Sequence, residues 1–242
     1  MEVPGNHYKI LAITLARGGS KGIPNKNIIN INNKPLIYYT LKEAKKCKFI
    51  NDYIVSTDSL KIKKIAEKYK VEVPFIRPKK YSSDNSSSVS ALIHATKFME
   101  KYKGYKYDYI IELMCTNPLK DVNDINAIIK KIITTKSESV IAMHRVYEHH
   151  PSRIKKIIND KIIDFIKEKN EARRQDLKPF AYIRSGAIYC MKRNYLIKKK
   201  RRYGGKNSRP YILEDFKGVN IDSENDLMTV INYLKKSETS KI

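Results

Sequence analysis

The residues best placed to do chemistry lie in one short stretch, Ala16-Arg17-Gly18-Gly19-Ser20-Lys21-Gly22-Ile23-Pro24-Asn25-Lys26-Asn27. Three glycines let a backbone approach a ligand closely and turn its N–H groups toward an anion. Arg17, Lys21 and Lys26 add three cations within ten residues, enough to neutralise much of a triphosphate. The spacing fits neither common phosphate loop. No Lys-Ser or Lys-Thr follows a correctly spaced glycine, and glycines at 18, 19 and 22 do not make GxGxxG. On spacing alone, an anion cradle and an ordinary surface turn both remain open. His149 and His150 suggest metal binding at first sight, but adjacent side chains in an extended segment point opposite ways and no third ligand accompanies them, so a zinc site is rejected.

The elements around this loop decide where it sits. Tyr8–Leu15 reads as a buried strand, and the loop follows it directly. A helix is predicted from about Pro35 to Cys47, with proline at its start where a missing N–H costs nothing. Next come a strand at Tyr53–Ser56, a helix at Leu60–Tyr69 and a short strand at Glu72–Phe75. Ser86–Ser88 caps a helix running to about Tyr102. A strand at Tyr107–Met114, a helix from about Val122 to Thr134 and a strand at Ser139–His144 complete the first half.

Strands separated by helices imply βαβ units, so the fold class is α/β with a mainly parallel twisted sheet flanked by helices. In such sheets ligands sit beyond the carboxyl ends of the strands, where this loop falls. Residues 146–184 break the rhythm with Arg153–Ile158 and Lys161–Ile166 joined by Asn159–Asp160, which suggests a hairpin. The rhythm resumes at Ala187–Met191 and ends in a helix from Ser223 to Leu234. One domain over residues 1–242, carrying an insertion at about 146–184, is the simplest account.

Composition narrows the class. The chain has 242 residues, 41% of them hydrophobic, which suits one domain with a substantial core. No apolar run approaches the roughly 18 residues that span a bilayer, so no membrane partner is expected. The opening MEVPGNHYK lacks the pattern of a secretion signal. Cys47, Cys115 and Cys190 form neither a disulfide framework nor a CxxC site, which fits a reduced cytoplasm. A formal charge of +24 draws in anions generally. Abundant Lys, Ile and Asn also match codon bias from an AT-rich genome, and the lysines are dispersed as pairs on polar helix faces. Only Lys198–Arg202 is dense, and it is expected in a loop. A nucleic-acid binder would instead show a clustered basic stripe with interleaved aromatics.

The string ARGGSKGIPNKN resembles the signature of the acylneuraminate cytidylyltransferases, the CMP-sialic acid synthetase family. The likeness extends through IVSTD (Ile54–Asp58), VPFIRP (Val73–Pro78), SDNSSS (Ser83–Ser88), TNPLK (Thr116–Lys120), EHHP (Glu148–Pro151), RRQDL (Arg173–Leu177), GAIY (Gly186–Tyr189) and NIDSENDL (Asn220–Leu227). It implies a nucleotide-diphospho-sugar transferase-like fold, a homodimer formed through the inserted segment, and magnesium as cofactor. It also implies attack of an acidic sugar's anomeric hydroxyl on the α-phosphorus of CTP. Arg17 and Lys26 match phosphate ligands and, with Asp222, form the implied catalytic set; Lys21 assists. Leu15 and Ala16 open the implied nucleotide site, and Asn27 fits a nucleoside contact or a simple cap of the loop.

Arg77, Ser86 and Ser88 match the base and ribose side, compatibly with capping because a helix N-terminus already presents N–H groups. Asp222 matches one member of a magnesium-holding aspartate pair whose other member here is Asn220; a plain helix cap at Asp222 or Ser223 is the competing reading. Arg153, Arg174 and Tyr189 match the sugar-acid pocket, the first reaching in from the partner subunit; a surface cation or core aromatic is the alternative for each.

Two departures fall on the acceptor side. Where sialic acid synthetases read QPTSPLR, this chain reads Met114-Cys115-Thr116-Asn117-Pro118-Leu119-Lys120, and Ser185 replaces the asparagine of NGAIY. The nucleotide loop is intact. The leading expectation is CMP transfer to an N-acylneuraminate or a related nine-carbon acid such as legionaminic acid. The alternatives are transfer to a shorter ulosonic acid or a phosphonate, a CTP sensor without catalysis, and a nucleic-acid binder.

Overall fold

The computed structural model describes residues 7–20, 22–167 and 173–239. Its centre is a six-stranded sheet in the order β10-β6-β9-β5-β1-β4, with β1 Ile10–Leu15, β4 Asp52–Ser56, β5 Tyr109–Leu113, β6 Ser139–Val146, β9 Ala181–Lys192 and β10 Ser208–Ile212. Strand β1 pairs in parallel with β4 on one side and β5 on the other. The chain thus leaves β1 in one direction and returns in the opposite one. That reversal opens a crevice at the carboxyl ends of β1 and β5.

Alternation within the strands sends side chains to two helical layers. Ile10 and Ala12 face α4 (Val122–Thr134) and the end of α1 (Leu36–Lys46), whereas Leu11 and Ile13 face α3 (Ser88–Lys103) and α5 (Arg193–Lys199). In α4, Ile125, Ile128, Ile129 and Ile132 form the buried stripe, and Asp121 with Asp124 closes a capping box at its start. Helix α2 (Leu60–Lys68) covers β4, and α6 (Glu224–Thr239) packs through Val230 on a short ribbon of β2 (Asn30–Ile31) and β3 (Lys34–Pro35).

Several expectations are corrected. Glu72–Phe75 forms no strand; only single bridges join Ile54 to Glu72 and Thr57 to Ile76, because Pro74 between them has no N–H to donate. Ala187–Met191 is the second half of β9, which runs antiparallel to both β5 and β6 and makes the sheet mixed. The structure adds edge strand β10; Pro210 is tolerated in it because its outer side needs no partner. Lys198 and Lys199 end α5 rather than lying in a loop, and Arg202 turns inward. The hairpin is as expected: β7 (Lys155–Ile158) and β8 (Lys161–Asp164) are joined by Asn159 and Asp160, both at positive φ. β6 ends at Val146 and β9 starts at Ala181, and the hairpin falls between them.

Candidate active site

The crevice holds a cavity of about 510 Å³ lined by the turn after β1, the segment 81–88 before α3, the loop after β5, and residues 220 and 222. Each wall follows from local chemistry. Gly18 presses on Ser59 so closely that an added Cβ would lie 3.0 Å from the serine Cβ, and its N–H donates to Asp58 Oδ1 at 2.9 Å. Gly22 has the same constraint against the Asp222 carbonyl oxygen, at 3.0 Å. These two glycines let the turn lie flat between two other segments.

Leu15 and Arg17 line the cavity, and Arg17 Nη1 donates to Asp84 Oδ1 at 2.7 Å. Ala16 is fully buried beneath the turn, with its N–H bonded to Ser56, so it supports the cavity without lining it. Lys21 lies outside the described residues. Lys26 Nζ donates to the Ile221 carbonyl and to Asp222 Oδ1, each at 2.7 Å. Asn27 is buried and serves as a tie: its Nδ2 donates to the Arg17 carbonyl at 2.9 Å, while Cys115 Sγ donates to its Oδ1 at 3.0 Å. Burial pushes that thiol up to about 11.

Arg77 is only 5% exposed. Its Nη2 lies 3.9 Å from Asp58 Oδ1, and its buried Nε has no hydrogen-bond partner among the described residues. Burial lowers the guanidinium pKa while Asp58 acts in the opposite direction. A buried cation with an unused donor at a cavity wall is built for a polar ligand. Ser87, rather than Ser86 or Ser88, caps α3 by accepting from the Ser90 N–H. Ser86 donates to the Lys80 carbonyl and Ser88 begins the helix; both line the cavity, so the amino end of α3 opens on it.

On the opposite wall the Ile221 N–H bonds Thr116, which suspends residues 220–222 from the loop after β5. Asn220 Nδ2 donates to Asp222 Oδ2, leaving Asn220 Oδ1 buried without a partner among the described residues. Ser223 and Asp226 exchange hydrogen bonds and cap α6. Asp222 is therefore not the cap, and its carboxylate is free to face Lys26.

Three expected residues are not brought to this cavity. Arg153 ends a 3-10 turn beside the hairpin, Arg174 pairs with Glu148 at 2.8 Å, and neither lines it. Tyr189 is buried in the core, its ring beneath the Arg202 guanidinium at 4.2 Å. Conversely, the sequence assigns no role to Asp58, Asp84 or Glu112. The first two lie inside quoted motifs, and Asp58 stands just past a parallel strand's carboxyl end, the position that could have flagged it. Glu112 sits within an apolar run and offered no signal.

A family model described as cytidylyltransferase matches residues 11–237. The pseudaminic acid cytidylyltransferase of Campylobacter jejuni is 34% identical over 182 residues, covering 75% of this chain and 77% of that protein. The CMP-N,N'-diacetyllegionaminic acid synthase of Campylobacter jejuni is 30% identical over 222 residues, covering 92% of this chain and 93% of that protein. Among solved structures, CMP:2-keto-3-deoxy-manno-octonic acid synthetase complexed with CTP has a TM-score of 0.71 at 16% identity, covering 95% of this chain and 99% of that one, so the fold is shared.

Proposed function

The chain belongs to the cytidylyltransferase family, and on that premise we propose that it transfers CMP from CTP to the anomeric hydroxyl of a nine-carbon acidic sugar, releasing pyrophosphate. The observation that carries this reading is the convergence of Arg17, Lys26 and Arg77 on one cavity with the amino end of α3. Relatives named for pseudaminic and legionaminic acid supply the acceptor class.

Arg77 and the Ser86–Ser88 end of α3 take the cytidine, since cytosine presents O2 and N3 as acceptors to a guanidinium. The triphosphate lies along the Arg17–Lys26 turn. Attack forms a bond from the sugar oxygen to the α-phosphorus and breaks the bond from that phosphorus to the bridging oxygen of pyrophosphate. The hydroxyl proton passes to solvent. Arg17 grips two oxygens and Lys26 acts as a point charge. Their work is in-line positioning and neutralisation of charge on the departing pyrophosphate.

Asn220 Oδ1 and the Asp222 carboxylate are oxygen donors of the kind magnesium takes, and these two residues would hold the ion. Bound there, the ion would neutralise phosphate charge.

Hairpin residues Ile157, 78% exposed, and Ile162, 79% exposed, support a homodimer through the inserted segment at about 146–184, with Arg153 of each protomer serving its partner's cavity. Cys47, Cys115 and Cys190, all buried and free, support a reduced cytoplasmic setting. No helix among the described residues is long and apolar enough to cross a membrane.

Pyrophosphate release with CTP, magnesium and a panel of N-acetylneuraminic, pseudaminic, N,N'-diacetyllegionaminic and 3-deoxy-manno-octulosonic acids tests the reading. The nine-carbon acids should give the highest kcat/KM. Tight CTP binding with no release from any acceptor would make the protein a CTP sensor instead.

A further inference from the structure

Glu112 is a charged residue in the middle of a core strand. It is 1% exposed yet lines the cavity. Its Oε2 accepts from Arg202 Nη1 at 2.7 Å, and its Oε1 has no partner among the described residues. Arg202 arrives from the turn after α5 and lies over the Tyr189 ring, the cross-strand neighbour of Glu112. Replacing a buried ion pair with apolar residues of similar size is often neutral or stabilising, so stability alone gives little reason for this one.

Its location supplies a reason. Arg77 is tied to Thr57, just past β4, and therefore marks the nucleoside side of the crevice. Glu112 lies across β1 from there, on β5 where it pairs with β9. Two residues along the same strand face is Met114, at the place where the acceptor departures fall. Tyr203 packs against the same buried cluster as Met114 and carries the Arg184 guanidinium 4.6 Å from its ring centroid. This half of the cavity is not needed by the triphosphate turn.

We propose that Glu112 is an acceptor-binding residue, accepting through Oε1 a hydrogen bond from a hydroxyl or amide N–H of the sugar, and that Arg202 is the positioning residue that holds Glu112 in place. A carboxylate here selects donors and repels the acceptor's own carboxylate, so the pair fixes which end of the sugar enters. The inference rests on the function proposed above.

The test compares the wild type with Glu112→Gln, Arg202→Met, Arg202→Lys and the double variant Glu112→Leu/Arg202→Met. CTP and either pseudaminic or N,N'-diacetyllegionaminic acid are the substrates; thermal unfolding and calorimetric CTP binding are measured in parallel. Wild-type turnover reads the function itself, and the variant-to-wild-type ratio reads this inference. Glu112→Gln and the folded double variant should raise the acceptor KM at least tenfold, with CTP affinity within twofold of wild type, and Arg202→Lys should recover part of the loss seen in Arg202→Met. An unchanged acceptor KM in the folded double variant would make the pair structural only. CTP affinity falling in step with the acceptor KM would move the pair to the nucleotide. A wild type that binds CTP but turns over neither sugar would remove the function and this inference with it.

Discussion

Lys120 offers the sharpest physical test of how the cavity is held. The side chain is fully buried, and its ammonium donates to Met114 O at 2.5 Å, Asn117 O at 2.6 Å and Thr40 Oγ1 at 2.8 Å. Those carbonyls belong to the loop that also ties Cys115 to the phosphate turn and Thr116 to Ile221. Among the described residues no carboxylate touches the amine; Asp124 and Glu43 act only through space. Desolvation therefore dominates and pulls the pKa from 10.5 to about 7. That gap corresponds to roughly 5 kcal/mol in favour of the neutral amine. The unfolded chain holds this proton up to pH 10.5 and the folded chain releases it near 7, so between them the unfolded state binds more protons and stability rises with pH. From pH 6 to pH 9 the gain is about 3 kcal/mol. Lys120→Met lacks it. At pH 9 the variant is less stable by about 2–5 kcal/mol, because buried carbonyls lose their donors. At pH 6 the gap narrows by about 3 kcal/mol. Urea unfolding of both proteins at pH 6, 7.5 and 9 measures this, since groups common to both cancel in the difference. Parallel stability curves across that range would refute the argument.

Lys26→Ala should lower turnover at least 100-fold, since it removes a positioned cation from the leaving phosphates, while leaving the melting temperature within a few degrees; kcat measured beside thermal unfolding decides it. Asn220→Asp should preserve magnesium-dependent activity and lower the magnesium concentration giving half-maximal rate; a collapse of activity would show that the neutral amide is required. Ile157→Glu with Ile162→Glu should convert a dimer to a folded monomer in light scattering, because the two side chains stand 78% and 79% exposed on the hairpin.

The legible parts of the fold were those with a strong local signature. Helix α4 was read from Val122 to Thr134 because an isoleucine stripe at helical spacing follows directly on Asp121. Asn159-Asp160 announced its hairpin through turn chemistry. Strand direction has no such signature, so β9 was read as continuing the parallel rhythm when it reverses it. Pro210 hid β10, because only the finished sheet shows that it lies at an edge. The site divides in the same way. Arg17, Lys26 and Arg77 lie on or beside motifs read as units, and they converge. Arg174 and Tyr189 were assigned by likeness alone, and within one protomer an ion pair and core packing account for them. Glu112 was invisible because its partner Arg202 is ninety residues away and sat in what looked like a solvated basic run.

The cation pairs of the cavity are also arranged for exchange. Arg17 and Lys26 are each held by a carboxylate, Asp84 and Asp222, at 2.7 Å. Both acids are exposed, with side-chain values of 54% and 69%, so each pair is worth at most about 1 kcal/mol. On the function proposed above, a triphosphate would offer the same cations denser charge and bidentate geometry, so displacement would favour the nucleotide. The carboxylates thereby keep the cationic turn ordered before substrate enters, at little cost to binding. Asn27 and Lys120, whose partners are buried backbone and side-chain atoms, do not exchange and keep the turn and the opposite loop in register throughout. The division between exposed pairs that yield and buried ties that persist lets one cavity be both preformed and loadable.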